Sequence, residues 1–383
     1  MGNPKNKTIG IVGGGQLGRM TILEARKMDI RVIVLTPEHP SPASDIADDY
    51  IIGSLYDEDK IRELASKCDI LTYEIEHINV AVLEEIEKSG KIVNPSAKVL
   101  KVIQDKSKQK VLLQANNLPT SNWDYINDDN LIDMINKYGY PVVQKSCTGG
   151  YDGKGVFVLK SEADIPNMIK GESFFEEFVP FEKEIATLVA RNERGQIKTY
   201  PMVDMAFDPS TNMCDITVCP AKVSKEVEEK AKEIATKVIE ALDGYGIFGV
   251  EMFLTKDGEI LINEVAPRPH NSGHYTIEGC YTSQYEQYLR AIMNLPLGAT
   301  DYIKPNVMIN LFGEVGYSGE TLVEGFDEAL EIEGVNIHLY GKKETKPNRK
   351  MGHITVLDEN TDLALEKAKK AKNLIKIKTA EVK

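Results

Sequence analysis

The stretch that decides the fold reads GIFGVEMFLTKDGEILINEVAPR at 246–268. Two apolar runs flank Asp257-Gly258, a dipeptide typical of β-hairpin turns. A hairpin centred on this turn places Glu251 directly opposite Glu264. Opposed carboxylates destabilise a sheet unless they share a proton or hold a cation, and Mg²⁺ takes one or two carboxylates together with substrate phosphates. The pair therefore predicts a metal platform for a nucleotide, with a solvated hairpin edge as the alternative.

A polar loop follows the second run of the hairpin. It reads APRPHNSGH at 266–274, and its two prolines restrict the backbone. Polar groups this dense, directly beyond a proposed metal, favour a substrate-facing loop over a structural one. The side chains concerned are Arg268, His270, Asn271 and His274.

The composition narrows the function classes. The 383 residues are enough for two or three domains. With 46 basic and 59 acidic residues, the formal charge is −13, which argues against a general nucleic-acid or anionic-membrane binder. The five cysteines are scattered without metal spacing, so we expect a reduced, cytoplasmic setting. No apolar run approaches the length of a membrane span.

The first part of the chain alternates short apolar runs with helical patterns, which predicts a parallel sheet covered by helices. The predicted strands are 8–12, 31–35, 50–52, 70–73 and 91–93, and the predicted helices between them include 58–66 and 80–88. The loop GGGQLGR at 13–19 fits the dinucleotide fingerprint, but the acidic residue required at the end of the second strand is missing. We interpret the loop as an anion site. An NAD-dependent dehydrogenase or a non-catalytic nucleotide-binding protein is the alternative.

Two acidic residues end the fourth predicted strand. Glu74 and Glu76 lie where open parallel sheets bind ligands, so they could hold substrate hydroxyls; a polar loop is the alternative. The following stretch, 97–116, is predicted to be helical. We expect most of its lysines, Lys106, Lys108 and Lys110, to form a solvated face.

A glycine-rich loop, 146–154, separates predicted strands at 140–145 and 155–160, after a helix predicted over 128–138. Such a loop lets backbone N–H groups close over phosphates, and Lys145 at its entrance adds a charge; a flexible hairpin is the alternative. The acidic, apolar segment FFEEFV at 174–179 suits adenine and ribose. Ser224 is predicted to cap a long helix that ends at Gly244.

A basic cluster lies near the end of the chain, in KKETKPNRKMGH at 342–353. In an acidic protein such a cluster is a possible phosphate-binding site, and a surface charge run is the alternative.

In their order along the chain, these motifs resemble the ATP-grasp family. The matching positions are Lys106, Lys145, 148–155, 176–179, Glu184, Glu251, Asn263 and Glu264. The stretches GGQLGRM (14–20), TGGYDGKG (148–155), APRPHNSGH (266–274) and KPNRK (346–350) further resemble the members that carboxylate aminoimidazole ribonucleotide in bacterial purine synthesis. One position departs from the family pattern, since Phe207 stands where a histidine is common.

The resemblance implies an ATP-grasp fold of α/β and α+β character. We expect an N-terminal Rossmann-like (pre-ATP-grasp) parallel-sheet domain over 1–96, a lid domain with its helical linker over 97–182, a large domain with the metal site over 183–300, and a C-terminal domain over 301–383. It implies a ligase that phosphorylates bicarbonate with ATP and carboxylates aminoimidazole ribonucleotide, with small molecules as partners and a homodimer as its assembly. A formate-dependent glycinamide ribonucleotide formyltransferase of the same fold is the nearer alternative.

The resemblance also implies roles for individual residues. Contacts to ATP are expected from Lys106, Lys145, Gly150, Tyr151, Asp152, Gly153, Lys154, Gly155, Val156, Glu176, Glu177, Phe178, Val179, Glu184, Asn263 and Glu264. Mg²⁺ is expected on Glu251 and Glu264, and catalytic roles are expected for Arg268, Lys145, Asp152 and Lys154. Substrate contacts are expected from Gln16, Leu17, Glu74, Glu76, Tyr151, Asp152, Arg268, His270, Asn271, His274, Lys343 and Arg349.

Overall fold

The computed structural model of the chain describes residues 7–150, 155–208 and 213–379. Within these ranges the strands form four sheets. Among the helices described there, none is long and apolar enough to cross a bilayer.

The first sheet is parallel and five-stranded, as the sequence predicts. Its elements are β1 (Thr8–Val12), α1 (Gln16–Lys27), β2 (Arg31–Thr36), β3 (Asp49–Ile52), α2 (Glu58–Lys67), β4 (Ile70–Tyr73), α3 (Val80–Lys88) and β5 (Ile92–Val93). The strand order is β3-β2-β1-β4-β5. The order in which successive strands are added to the sheet reverses between β1 and β4. The loops that follow these two strands therefore meet at the carboxyl edge, where ligands bind in such sheets.

The predicted helical stretch over 97–116 is confirmed, but it consists of two helices. The structure has α4 (Ala97–Ile103) and α5 (Lys106–Ala115), separated at Asp105. The Asp105 carboxylate accepts hydrogen bonds from the backbone N–H groups of Ser107 and Lys108. This N-cap satisfies two N–H groups of a new helix and so favours a break at this position.

The part of the chain predicted as the lid contains a four-stranded antiparallel sheet of order β6-β9-β7-β8. Its elements are β6 (Trp123–Ile126), α6 (Leu131–Tyr138), β7 (Val142–Ser146), β8 (Val156–Leu159), a 3-10 helix (Glu162–Asn167) and β9 (Ser173–Glu177). The helix predicted from residue 128 begins only at Leu131. The side chains of Asn127 and Asn130 bind each other's backbone N–H groups, which holds this stretch in a turn.

The largest sheet continues from the lid to the C-terminal region. Its strands and the adjoining helices are β10 (Phe181–Arg191), β11 (Ile197–Thr199), β12 (Val203–Phe207), β13 (Cys214–Cys219), α7 (Lys225–Leu242), β14 (Gly246–Thr255), β15 (Ile260–Ala266), a 3-10 helix (Asn271–Gly273), α8 (Thr276–Gly279), α9 (Gln284–Ile292) and β16 (Asn306–Phe312). The C-terminal elements are β17 (Gly319–Glu324), α10 (Phe326–Leu330), β18 (Val335–Leu339), β19 (Glu344–Thr345), β20 (Lys350–Leu357), α11 (Thr361–Leu374) and β21 (Lys376–Thr379). The predicted helix after Ser224 is confirmed as α7, with the Ser224 hydroxyl accepting from the Val227 N–H.

This sheet has the order β15-β14-β10-β12-β13-β16-β20-β18, with β11 paired to β10. Because β13 pairs with β16, the predicted domain boundary at 300 falls between strands of one continuous sheet. The sheet also curls, since the loop after β15 meets β16 through paired amides of Asn271 and Asn310, at 2.8 and 3.0 Å. The curled sheet encloses one side of the cavity described next.

Candidate active site

The hairpin of β14 and β15 places Glu251 opposite Glu264, as the turn predicts. The predicted regular ladder is wrong, however, because Met252 pairs with Ile262 and Asn263 is an extra residue in β15. Such a β-bulge lets two residues of one strand oppose one residue of its partner. Asn263 and Glu264 accordingly both point to lysines of the site.

The two carboxylates of the hairpin have different surroundings. Burial raises the pKa of Glu251, and the charges of Glu264 and Glu184 raise it further. The Lys106 ammonium contacts Glu264 and holds the pKa of that carboxyl well below its usual range. Glu184, on β10, has its pKa raised to about 7, chiefly by burial. Glu251 and Glu184 therefore retain protons more readily than ordinary carboxyl groups, and a bound cation would favour their charged forms.

Lys145 connects the lid to the hairpin. Its ammonium lies 2.9 Å from the Asn263 side-chain oxygen and 2.6 Å from a Glu176 oxygen. The other oxygen of Glu176 contacts Lys110, which is buried. The prediction of a solvated lysine face is therefore right for the exposed Lys108 and wrong for Lys106 and Lys110.

The glycine loop after β1 already holds an anion from the same chain. The backbone N–H groups of Gly15 and Gly18 both donate to the carboxylate of Glu74, which lies at the end of β4 and is buried. Burial raises the pKa of Glu74, and these two hydrogen bonds oppose that effect. The alternative of a dinucleotide site is therefore wrong, because the N–H groups that would bind a pyrophosphate already bind a carboxylate of the same chain. Glu74 also lines the cavity, so its contact with a substrate hydroxyl stays a prediction.

Two side chains of the loop after β15 contact acidic side chains that line the cavity. An Arg268 nitrogen lies 2.8 Å from Glu76, in the loop after β4, and His270 Nε2 lies 3.3 Å from Glu251. The close passage of β14 beneath this loop requires a glycine, because a Cβ on Gly249 would lie 2.7 Å from the His270 side chain. These contacts confirm the expected proximity of His270 to the carboxylate pair, whereas Arg268 contacts Glu76.

His274 is not a cavity residue, so its predicted substrate contact is wrong. Its side chain is only 1% exposed, and Nδ1 lies 3.0 Å from both the Tyr285 hydroxyl and the Gln284 amide nitrogen. Burial lowers its pKa well below the usual range. The 3-10 helix that begins at Asn271 turns this side chain away from the cavity and into the core.

The basic cluster contributes a different residue from those predicted. Lys350, at the start of β20, lines the cavity, whereas the described lining includes neither Lys343 nor Arg349. Lys343 is exposed, and Arg349 donates to the carbonyl oxygen of Glu344 at 2.6 Å. The sequence reasoning missed Lys350 because the strand start that aims its side chain inward was not recognised.

One cavity of about 790 Å³ unites these groups, and its volume suits a nucleotide-sized ligand. The other sequence-predicted residues that line it are Gln16, Leu17, Gly150, Val156, Glu177, Phe178 and Val179. Phe207, Phe181 and Phe253 also line it. The rings of Phe181 and Phe253 stack with their centroids 4.8 Å apart. Gly155 is described but does not line the cavity, and Tyr151, Asp152, Gly153 and Lys154 lie outside the described residues.

Three family models match successive parts of the chain. They are the ribonucleotide synthetase preATP-grasp domain over 6–104, the ATP-grasp domain over 111–285, and the phosphoribosylaminoimidazole carboxylase C-terminal domain over 306–367. The ATP-grasp fold implied by the resemblance is thereby confirmed.

Named relatives agree along nearly the whole chain. The N5-carboxyaminoimidazole ribonucleotide synthase of Bacillus subtilis is 39% identical, with 92% of each chain covered. The crystal structure of N5-carboxyaminoimidazole ribonucleotide synthetase from Thermotoga maritima is similar at 50% identity and a TM-score of 0.91, covering 98% of this chain and 100% of that one. A synthase from Aspergillus clavatus, solved with ADP and 5-aminoimidazole ribonucleotide, is 35% identical with a TM-score of 0.89 and coverage of 97% and 98%. The chain spans about two thirds of the length of the fungal and plant phosphoribosylaminoimidazole carboxylases that it also matches.

Proposed function

The chain belongs to the family of N5-carboxyaminoimidazole ribonucleotide synthases, and we propose that it performs the ATP-dependent carboxylation of 5-aminoimidazole ribonucleotide. Bicarbonate is the carbon source, and the products are 5-carboxyaminoimidazole ribonucleotide, ADP and phosphate. The reaction belongs to de novo purine biosynthesis.

A single observation carries this proposal. One cavity has the Glu251–Glu264 pair with Lys106 and Lys145 at one end, and it continues to Arg268 beside the first sheet. The carboxylate pair with its two lysines suits a nucleoside triphosphate. Arg268 lies where a small anion and a second substrate would meet the γ-phosphate of that nucleotide.

In the first step a bicarbonate oxygen attacks the γ-phosphorus of ATP, and ADP leaves with the electron pair of the broken bond. Such a transfer depends mainly on positioning and charge neutralisation. Lys106 and Lys145 supply positive charge from two different elements, and Arg268, held by Glu76, is oriented to steady the bicarbonate. His270 and Asn271, which follow Arg268 in the same loop, complete its surroundings.

In the second step the exocyclic amine of the ribonucleotide attacks the carboxyl carbon of carboxyphosphate, or carbon dioxide released from it. The new carbon–nitrogen bond forms, phosphate leaves, and the amine loses a proton. Water would destroy carboxyphosphate, so the cavity must be closed during this step. Gln16 and Leu17, in the first turn of α1 beside Glu74, border the space left for this substrate, and the Lys350 ammonium would contact its phosphate.

The residues present fit a magnesium ion. Among the described residues, no three acidic, histidine or cysteine side chains converge to hold a metal by themselves. Two opposed carboxylates suit Mg²⁺ all the same, because this ion is commonly bound by one or two carboxylates plus phosphate oxygens. Glu251 and Glu264 would hold it, and when bound it supplies neutralisation of charge on the phosphate oxygens.

The test is ADP release by the purified chain, measured with and without bicarbonate and aminoimidazole ribonucleotide. We expect sustained release with both substrates and formation of the carboxylated product. The formyltransferase alternative predicts release with formate and glycinamide ribonucleotide instead. Turnover that ignores bicarbonate contradicts the proposal.

Two further properties are part of the proposal. We expect a homodimer, which light scattering coupled to gel filtration would measure. We also expect cytoplasmic action, which agrees with the unpaired state of all five cysteines.

A further inference from the structure

Lys110 lies directly behind Lys145, on the side away from the cavity. Its side chain is 3% exposed, and its ammonium contacts one oxygen of Glu176. It also donates to the hydroxyls of Thr120 at 2.6 Å and Ser121 at 3.0 Å. The other oxygen of Glu176 lies 2.6 Å from Lys145. One buried carboxylate therefore joins two lysines.

The three side chains carry a net positive charge. Burial opposes ionisation of Glu176, but the charges of Lys145 and Lys110 bring its pKa down to about 2. Burial lowers the pKa of Lys110 to about 8, while the charge of Glu176 opposes that change. At neutral pH the group thus has two ammonium ions and one carboxylate.

Only part of this group faces the ligand. Lys145 and Glu176 line the main cavity, and Lys110 is absent from its described lining. Without Lys110, the charge of Lys145 would be balanced by Glu176, and the pair would present no net charge to a phosphate. With Lys110, one positive charge remains, and Lys145 is the member that reaches the cavity.

We propose that Lys110 is a positioning residue that neutralises Glu176, so that the charge of Lys145 stays available to the phosphates of ATP. This inference rests on the proposed function. A purely structural role explains the arrangement less well. Taking an ion pair out of water is costly, and apolar residues of similar volume often give equal or greater stability.

The first variant is Lys110→Met, which leaves Glu176 and Lys145 as a neutral pair. We expect the Kd of Mg-ATP, measured by calorimetry, and the KM for ATP to rise about 10-fold, the lower end of the range for losing one charge-assisted contact. The KM values for aminoimidazole ribonucleotide and bicarbonate should stay unchanged. The matched control is Lys108→Met on the exposed face of α5, which should leave all of these constants unchanged.

The deciding variant is the double substitution Lys110→Met with Glu176→Gln. It leaves Lys145 with its own positive charge, the same net charge as in the wild type. We expect ATP affinity to return to within about threefold of the wild type, because the two new side chains are uncharged and the net charge of the group is unchanged. A folded double variant that binds ATP no better than the single variant overturns the proposal.

Thermal unfolding separates folding from binding in each variant. If only one of the two variants folds, its affinity for ATP decides the proposal. The single variant must bind ATP about 10-fold more weakly than the wild type, and the double variant must bind ATP within about threefold of the wild type. If neither variant folds, the proposal is overturned. The proposal assigns Lys110 a role in ATP binding and no essential role in folding. Absence of Mg-ATP binding by the wild type would instead remove the proposed function itself.

Discussion

Glu251 and Glu264 are chemically identical, yet the structure assigns them different ionisation. Lys106 contacts Glu264 and stabilises its charge, whereas Glu251 faces Glu264, Glu184 and His270. The charge of Glu264 is therefore already compensated, and the charge of Glu251 forms most readily when a cation or a protonated histidine is present. In the proposed function, a cation that binds together with the nucleotide would stabilise the charge of Glu251.

Glu264→Gln tests this pair directly. It removes an anionic ligand where charge neutralisation is a principal catalytic contribution, so we expect kcat to fall by about 100-fold or more, with the fold retained. ADP release at varied magnesium concentration measures it. The matched control is Glu259→Gln, an exposed residue just before the same strand, which should leave turnover unchanged. Normal turnover of the Glu264 variant at ordinary magnesium would contradict the metal assignment.

Glu184→Gln tests the buried acidic group through stability. The folded-state pKa of Glu184 is about 7, above its ordinary value of 4.5. Between these values the folded protein binds more protons than the unfolded chain, so this group makes stability fall as pH rises through that window. The amide cannot ionise. The variant should therefore be more stable than the wild type at pH 8, by at most about 3 kcal/mol, and gain little near pH 5.

Urea unfolding without nucleotide or magnesium measures this difference at the two pH values. Glu182→Gln, an exposed residue of the same strand, is the control and should show no pH-dependent gain. An equal change in stability at both pH values for Glu184→Gln would mean that its ionisation is not linked to folding.

At the scale of elements, the β14–β15 hairpin and the loop after it act as one unit. The bulge at Asn263 turns two neighbouring side chains toward the lysines, and the absence of a side chain at Gly249 lets His270 lie against β14. The hairpin therefore sets the position of the loop after β15 as well as that of the carboxylates.

Gly249→Ala tests this close passage. Because the added methyl would lie 2.7 Å from His270, the loop must shift. A displacement of about 1 Å near reacting groups can cost 100-fold in rate, so we expect kcat/KM for bicarbonate to fall at least about 10-fold. Steady-state kinetics measure it. In a His270→Ala background the same substitution should have little further effect, and a full additional loss there would place its cause elsewhere.

Local pattern predicted the parallel sheet, the helix after Ser224 and the facing glutamates, because each depends on nearby turns, caps and alternation. It did not predict the burial of Lys110. Lys106 and Lys110 are four residues apart and share a helix face, a signal that could have separated them from Lys108. The partner that makes burial tolerable, Glu176, lies in another element, so a local pattern cannot reveal it.

At the scale of the whole molecule, the curled sheet brings the two ends of the chemistry together. β14, which carries Glu251, and β20, which begins with Lys350, are five strand steps apart. On a flat sheet five steps would separate them by about 24 Å. Both residues line the same cavity, so the curvature places the Lys350 ammonium on the same cavity as the β14–β15 hairpin. A substrate with its own phosphate can then bind between them.

Lys350→Met tests this arrangement. Losing one charge-assisted phosphate contact costs about 1.5–3 kcal/mol, so the KM for aminoimidazole ribonucleotide should rise roughly 10- to 100-fold while the KM for ATP changes little. Lys343→Met and Arg349→Met are the matched comparisons, since neither side chain lines the cavity in the structure. If either of these raises the KM for the ribonucleotide as much as Lys350→Met does, the segment before β20 must move toward the cavity when substrate binds. A rise in the KM for ATP alone would assign Lys350 to the nucleotide, and the phosphate of the second substrate would need another cation.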